Sequence, residues 1–196
     1  MDEWSGSGFA VGTAPDAAGP ALSAGEGCGE YLAHGYIRGG FVTRTAQPAA
    51  VCLVTLPVGE LPTWLGKAFS TVAGFLASHG SHPAGPPFAR YHPLGGGRFE
   101  VAAGFPVSTS IEGAGEVQAL VLPGGPAAST VHIGSYDAMM PGYQTVAAWV
   151  AEHGGDVVGD PWEVYLSEPA AQPDPSTWRT EIVQPYHDRV PAGTIG

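Results

Sequence analysis

The chain has 196 residues, enough for one domain with a buried core, and carries a formal net charge of −11 from seven Lys and Arg against eighteen Asp and Glu. Such a charge repels phosphate backbones, so we expect no direct nucleic-acid binding. The two cysteines form no Cys-x-x-Cys pair, so we predict free thiols. The sequence shows no secretory pattern and no apolar run long enough to span a membrane, which predicts a cytoplasmic protein without a membrane partner.

The start of the chain differs in composition from the rest. Gly, Ala, Ser and Pro dominate the first 30 residues without hydrophobic periodicity, so we predict a disordered or loosely attached extension over residues 1–35. Strand-like segments follow at 41–45 and 50–56. A helix is predicted to begin at Pro62 and to end at Gly80, because apolar residues recur every three or four positions between them.

An internal repeat organises the remaining sequence. Residues 69–91 match 143–165 at a constant offset of 74, with nine identities in 23 positions, and residues 99–107 then lie over 178–186 at an offset of 79. Each half is therefore predicted to be a strand, a helix and a pair of strands.

The repeat predicts one folded domain over residues 36–187, with a first module at about 36–107, a second at about 117–187 and a tail at 188–196. Modules of this size bury too little apolar surface alone. We therefore predict an α+β fold in which tandem β-α-β-β modules form one concave antiparallel sheet, with both helices on the opposite face. A small-molecule cleft is expected on the open face, along the join between the halves.

One acidic residue breaks the symmetry of the repeat. Strand alternation places Glu163 and Tyr165 on one face, and Ala89 and Tyr91 occupy the matching positions of the first half. A carboxylate in mid-strand is costly if that face is covered, so Glu163 is either a solvated strand residue or the polar centre of a site. Tyr91 and Tyr165 form a pseudo-symmetric pair on the same face.

Other residue types that could build a site are scattered. Most of the aromatic residues must be core, and His79 and His153 are predicted to lie at helix C-termini; no close ligand cluster, P-loop or dinucleotide fingerprint is present, so we expect no metal and no cofactor. His132 is retained as a possible site residue. The aromatic candidates for ligand contact are Tyr91, Tyr136, Trp64, Phe88, Trp162 and Trp178.

The second half carries a family resemblance. Val-His-Ile-Gly-Ser-Tyr-Asp at 131–137, a following helix and Gly-Asp-Pro-Trp-Glu-Val-Tyr-Leu at 159–166 resemble the GyrI-like small-molecule-binding domain, the effector-binding domain of AraC-type and multidrug-sensing regulators. The resemblance covers roughly residues 36–187. It implies that His132 and Tyr136 belong to the family's His-x-Gly-x-Tyr segment, and that Glu163 meets ligands in an aromatic-lined pocket.

The resemblance leaves three functions open. Residues 1–35 are too short and aperiodic for a helix-turn-helix module, so the chain is similar to the stand-alone members. These imply resistance by sequestering lipophilic or planar xenobiotics, hydrolysis of cyclopropanoid DNA alkylators in an aromatic cage, or gyrase as a protein partner. For hydrolysis, Glu163 would orient or deprotonate water while Tyr165 or Tyr136 donates to the developing oxyanion.

Overall fold

The computed structural model describes residues 31–32 and 36–189, and the earlier and later segments, including most of the predicted extension and tail, lie outside it. In the described part, two α-helices accompany ten strands. The strands are β1 (Tyr31–Leu32), β2 (Tyr36–Arg44), β3 (Gln47–Pro57), β4 (Phe88–Gly95), β5 (Arg98–Pro106), β6 (Val117–Leu122), β7 (Gly125–Ile133), β8 (Gly155–Val157), β9 (Trp162–Tyr165) and β10 (Arg179–Asp188), and the helices are α1 (Leu61–Ser78) and α2 (Met140–Glu152).

The strands form one antiparallel sheet in the order β1-β2-β7-β10-β9-β4-β5-β3-β6, with β8 paired to the end of β10. The predicted α+β class is confirmed. Strand pairing at both sides of the sheet joins the two predicted modules, because β2 pairs with β7 and β6 pairs with β3. Each half of the sheet is thus completed by a strand from the other half's predicted range.

The two helices begin and end alike. Each has a proline in its first turn, where the missing N–H leaves no hydrogen bond unmade. His79 and His153 cap the C-termini, as predicted, and each stacks on the aromatic ring four residues earlier at 4.1 and 4.0 Å and bonds through Nδ1 to that residue's carbonyl at 2.8 Å. Gly80 and Gly154 follow with positive φ, which glycine adopts without strain. These contacts support the interpretation of a repeat, which stays an interpretation.

Both helices cover the same face of the sheet. Helix α1 packs in a cluster that includes Ala89 and Ala103, and α2 packs in a cluster that includes Ile182. Ala103 pairs with Ala89, Ala89 with Glu163, and Glu163 with Ile182. Because directly paired residues share a face, the helices and Glu163 lie on one side of the sheet.

The face without helices is also buried. Its apolar cluster includes Phe88, Trp162, Val183 and Val51, which are 0–4% exposed. With no helix of the described chain packed on this face, these side chains cover one another, as expected in a concave sheet. Apolar side chains thus fill the described part of this face, and the predicted ligand cleft on it stays a prediction.

No helix in the described part of the chain combines the length and hydropathy that a membrane crossing requires.

Candidate functional site

Glu163 lies where the two halves of the sheet meet. Strands β4 and β9 pair there, with Ala89 opposite Glu163. The pairing continues through two matching backbone bonds, from Tyr91 N–H to the Pro161 carbonyl at 3.1 Å and from Tyr165 N–H to the Pro87 carbonyl at 2.9 Å. The two halves thus meet symmetrically around a position that carries one carboxylate.

Three tyrosine hydroxyls surround this carboxylate. Tyr143 Oη donates to Glu163 Oε1 at 2.6 Å, Tyr165 Oη lies 2.7 Å from Oε2, and Tyr91 Oη lies 3.2 Å from Oε2. The hydroxyls of Tyr91 and Tyr165 are themselves 2.7 Å apart. Tyr143 comes from α2, whereas the other two tyrosines come from the paired strands, so the helix and the sheet together enclose Glu163.

Burial controls the ionisation of the group. Glu163 is 8% exposed, and loss of solvation raises the pKa of its carboxyl, while hydrogen bonds from Tyr143, Tyr165 and Tyr91 and the field of His132 act in the opposite direction. Burial, followed by the charge of Glu163, raises the pKa of Tyr91 and Tyr143 above the usual range, and burial likewise raises that of Tyr165. The tyrosines are therefore neutral hydroxyl groups.

Further aromatic rings lie around the tyrosines. Tyr136 meets Tyr165 edge-on at 5.5 Å and lies against Trp178 at 4.7 Å, and Phe69 of α1 meets Tyr165 at 5.8 Å. Phe99 meets Tyr91 edge-on at 6.2 Å. Tyr136 is 38% exposed, so the Tyr136–Trp178 pair forms the solvent side of the site.

His132 lies on the same face, one strand beyond β10. Thr180 is paired with both Tyr165 and His132, which sets the histidine two strands, or roughly 10 Å, from Tyr165. His132 is 2% exposed and its Nε2–H donates to the Ser135 carbonyl at 3.0 Å. His132 thus supports the loop before Tyr136 from beneath; its predicted contact with ligand stays a prediction.

The structure gathers part of the predicted set. Glu163, Tyr165 and Tyr91 meet directly, with Tyr136 and Trp178 beside them. Three candidates are placed elsewhere. Phe88 and Trp162 are core residues of the opposite face, because strand alternation turns them away from Glu163.

Trp64 also falls outside the site. It lines a separate surface groove of about 530 Å³ with Val54, Glu60 and Lys67, at the start of α1. Its place in the first turns of the helix puts it beside Val54 of β3, and it packs against the core cluster of α1.

Sequence reasoning missed Tyr143, Phe69 and Phe99 as neighbours of the carboxylate. A signal for Tyr143 was present, because Tyr143 and Phe69 are equivalent in the repeat, as Glu163 and Ala89 are. The hydroxyl and the carboxylate that it meets are therefore both found in the second half alone. Phe99 is equivalent in the repeat to the candidate Trp178, and in the structure it pairs with Pro93, two residues beyond Tyr91.

The donor set does not suit a metal ion. One carboxylate and three neutral tyrosines lack the histidine, thiolate or multiple carboxylate ligands that metal sites use. Within the described residues, no group of three or more His, Cys, Asp or Glu side chains could hold a metal.

An antiparallel sheet with two helices over a buried, aromatic-lined carboxylate defines a small-molecule-binding domain. Residues 41–187 match the GyrI-like small molecule binding domain, and the chain belongs to that family. Among curated proteins, none matches the sequence.

Solved structures share the fold. The EcmrR–DNA complex aligns with a TM-score of 0.69 at 19% identity, covering 79% of this chain and 59% of the EcmrR chain, so this chain spans less than two thirds of that chain's length. The isolated EcmrR C-terminal domain aligns at 0.63 and 17% identity, covering 77% and 98% of the two chains. A Listeria innocua hydrolase aligns at 0.56 and 8% identity, covering 80% and 94%. At these identities the likeness concerns the fold alone.

Proposed function

We propose that the protein is a cytoplasmic xenobiotic-binding protein that gives resistance by sequestering lipophilic or planar small molecules at Glu163. One observation carries the proposal, namely a buried carboxylate that three tyrosine hydroxyls contact and an aromatic pair separates from solvent. Burying such a group is costly and does nothing for core packing, which apolar residues serve better.

The arrangement suits an aromatic ligand with a cationic or hydrogen-bonding centre. The faces of Tyr136 and Trp178 can stack on a planar ring, and cation–π contacts of about 0.5–2 kcal/mol each add to apolar burial. Glu163 supplies the charge or hydrogen bond that orients the ligand. The aromatic rings bind the apolar surface of the ligand, and the carboxyl determines which of the molecules that fit are bound.

Two nearly isosteric ions test the proposal. Tetraphenylphosphonium and tetraphenylborate have the same shape and opposite charge, and calorimetry measures their binding to the full chain. We expect the cation to bind, the anion to bind far more weakly, and Glu163→Gln to abolish the difference. Trp64→Phe, in the separate groove, is the control that leaves binding unchanged. Equal binding of both ions by the wild type would refute an electrostatic role for Glu163.

A second candidate function is hydrolysis of a strained cyclopropane conjugated to a carbonyl. It is favoured by the continuous contacts from Tyr91 to Tyr165 to Glu163, along which a proton can pass. In this reaction a water oxygen bonds to a ring carbon, the ring C–C bond breaks, and the electron pair moves onto the conjugated carbonyl. Glu163 in its ionised form would take the water proton, and Tyr165 or Tyr136 would donate to the carbonyl oxygen.

Mass spectrometry of the protein with excess cyclopropane-bearing alkylator tests hydrolysis. A product heavier by one water, formed over many turnovers and lost in Glu163→Gln, is expected of an enzyme. Saturable binding without that product leaves sequestration as the function. No feature of the described residues favours gyrase as a partner, so that hypothesis is not proposed.

A further inference from the structure

The contacts around Glu163 can be counted against the protons available to make them. Four oxygen–oxygen contacts lie within hydrogen-bond distance: Tyr143 to Oε1 at 2.6 Å, Tyr165 to Oε2 at 2.7 Å, Tyr91 to Oε2 at 3.2 Å, and Tyr91 to Tyr165 at 2.7 Å. Each neutral tyrosine hydroxyl has one proton to donate, and an ionised carboxylate has none. Three protons therefore face four contacts.

The missing proton concerns the three contacts among Glu163 Oε2, Tyr165 Oη and Tyr91 Oη, which form a triangle. Tyr143 uses its proton on Oε1, which leaves the hydroxyls of Tyr91 and Tyr165 to supply three sides with two protons. With an ionised Glu163, Tyr91 can donate to Tyr165 and Tyr165 to Oε2, and the remaining side then brings oxygen lone pairs of Tyr91 and Oε2 to 3.2 Å without a proton between them. A proton on Oε2 removes the shortage, because each oxygen of the triangle then donates once and accepts once.

The distances indicate the direction of the ring. The two 2.7 Å contacts have the usual length of an O–H···O bond, and the 3.2 Å contact is long. A protonated Oε2 is a strong donor and a weak acceptor. Donation therefore runs from Oε2 to Tyr165, from Tyr165 to Tyr91, and weakly from Tyr91 back to Oε2.

We infer that the ligand-free protein holds Glu163 as a neutral carboxylic acid whose proton closes a hydrogen-bonded ring through Tyr165 and Tyr91. The site at rest then presents no fixed negative charge. A cationic ligand displaces the proton, whereas a neutral ligand with an acceptor oxygen accepts a hydrogen bond from it. This last step rests on the proposed function, but the protonation itself does not.

The surroundings of Glu163 agree with a neutral acid. In the described chain Glu163 takes part in no ion pair with Lys, Arg or His. The titratable groups that face it are Tyr91 from β4, Tyr165 from its own strand, Tyr143 from α2, Tyr136 from the loop before α2, and His132 from β7. Of these only His132 can carry a positive charge, and Phe69 of α1 and Ile182 of β10 add apolar cover.

The first test needs no ligand. The Cδ chemical shift of ¹³C-labelled glutamate in the full chain reports ionisation, and Glu163→Gln assigns the signal. We expect the Glu163 signal to be that of a protonated carboxyl at neutral pH. A signal of an ionised carboxylate at neutral pH would overturn the inference.

Two variants test the role of the hydroxyls. Tyr143 donates to Oε1 and stabilises the ionised carboxylate, so Tyr143→Phe raises the pKa of Glu163. Tyr165→Phe removes a hydroxyl that can turn to donate to the ionised carboxylate, so it raises the pKa of Glu163 as well. A fall of this pKa in either variant would contradict these contacts.

The second test measures protons released on binding. Below the pH at which Glu163 is half ionised, tetraphenylphosphonium should release one proton per ion bound. Its affinity should increase about tenfold for each unit by which the pH is raised in that range. Neutral triphenylphosphine oxide should release none. Binding of the cation without proton release overturns the exchange. If neither probe binds, the proposed function fails for this ligand class, and the NMR titration still decides the protonation.

Discussion

Ala89 and Glu163 lie directly opposite each other across β4 and β9, at equivalent positions of the predicted repeat. Ala89 is fully buried and Glu163 nearly so. The small methyl group of Ala89 leaves the space above the join to one carboxyl and the tyrosines around it. The asymmetry seen in the sequence is thus an asymmetry at one point of the sheet.

Restoring the symmetry at this pair should destabilise the protein. Ala89→Gln overfills the join and should lower the free energy of unfolding by about 1–3 kcal/mol. Ala89→Glu adds a second buried carboxyl beside Glu163, and should lower it further because two adjacent carboxylates cannot both ionise cheaply. Urea unfolding at neutral pH measures both. Equal stability of the two variants would show that charge is unimportant at this position.

The Tyr143 hydroxyl should matter for stability. Tyr143→Phe leaves Glu163 Oε1 buried without its donor, which should lower the free energy of unfolding by about 1–3 kcal/mol. Tyr136→Phe is the matched control, since its ring is partly exposed, and should change stability by no more than about 0.5 kcal/mol. Similar losses in both variants would contradict a specific role for Tyr143.

Glu163 should make stability depend on pH in a defined direction. Burial raises the pKa of its carboxyl in the folded state above the unfolded value of about 4.3. The folded state therefore binds the proton more tightly, so this contribution is fully present below about pH 4.3 and is lost as the pH rises through the folded pKa. The difference in unfolding free energy between wild type and Glu163→Gln, measured from pH 4 to 8, isolates the effect. A difference that does not vary with pH would contradict it.

Trp162 and Tyr136 should separate stability from binding. Trp162 is 4% exposed on the face away from Glu163, so Trp162→Ala should cost about 3–5 kcal/mol of stability and leave ligand affinity of the folded protein unchanged. Tyr136→Ala should weaken binding of a lipophilic cation by about 0.5–2 kcal/mol with little loss of stability. Thermal unfolding and calorimetry on the same samples measure both quantities. A loss of affinity in Trp162→Ala with no change in Tyr136→Ala would place the ligand on the face of the sheet without helices.

Local patterns predicted the helices and the face-sharing of residues in each strand. The limits of α1, the histidine caps and the shared face of Glu163, Tyr165 and Tyr91 all follow from periodicity of 3.6 or 2. Periodicity does not say which face the helices cover. That depends on packing between distant segments, so the sequence does not reveal that Phe88 and Trp162 lie on the face away from Glu163.

The strand pairing between the two halves could not be predicted from the sequence either. The addition of β2 to β7 and of β6 to β3 joins residues far apart in sequence, and no local signal selects the partner. The Tyr143 contact is different, since the repeat already paired it with Phe69. Comparing every unequal pair in the repeat, rather than the charged one alone, would have predicted it.

The position of Glu163 on the join also limits how such a site can be assembled. A homodimer of two identical half-sheets would place the same residue on both sides of its two-fold axis, giving two carboxyls or none. A single acid at that point requires the halves to differ in sequence. Linking two unequal halves within one polypeptide therefore supplies a centre with a single carboxyl.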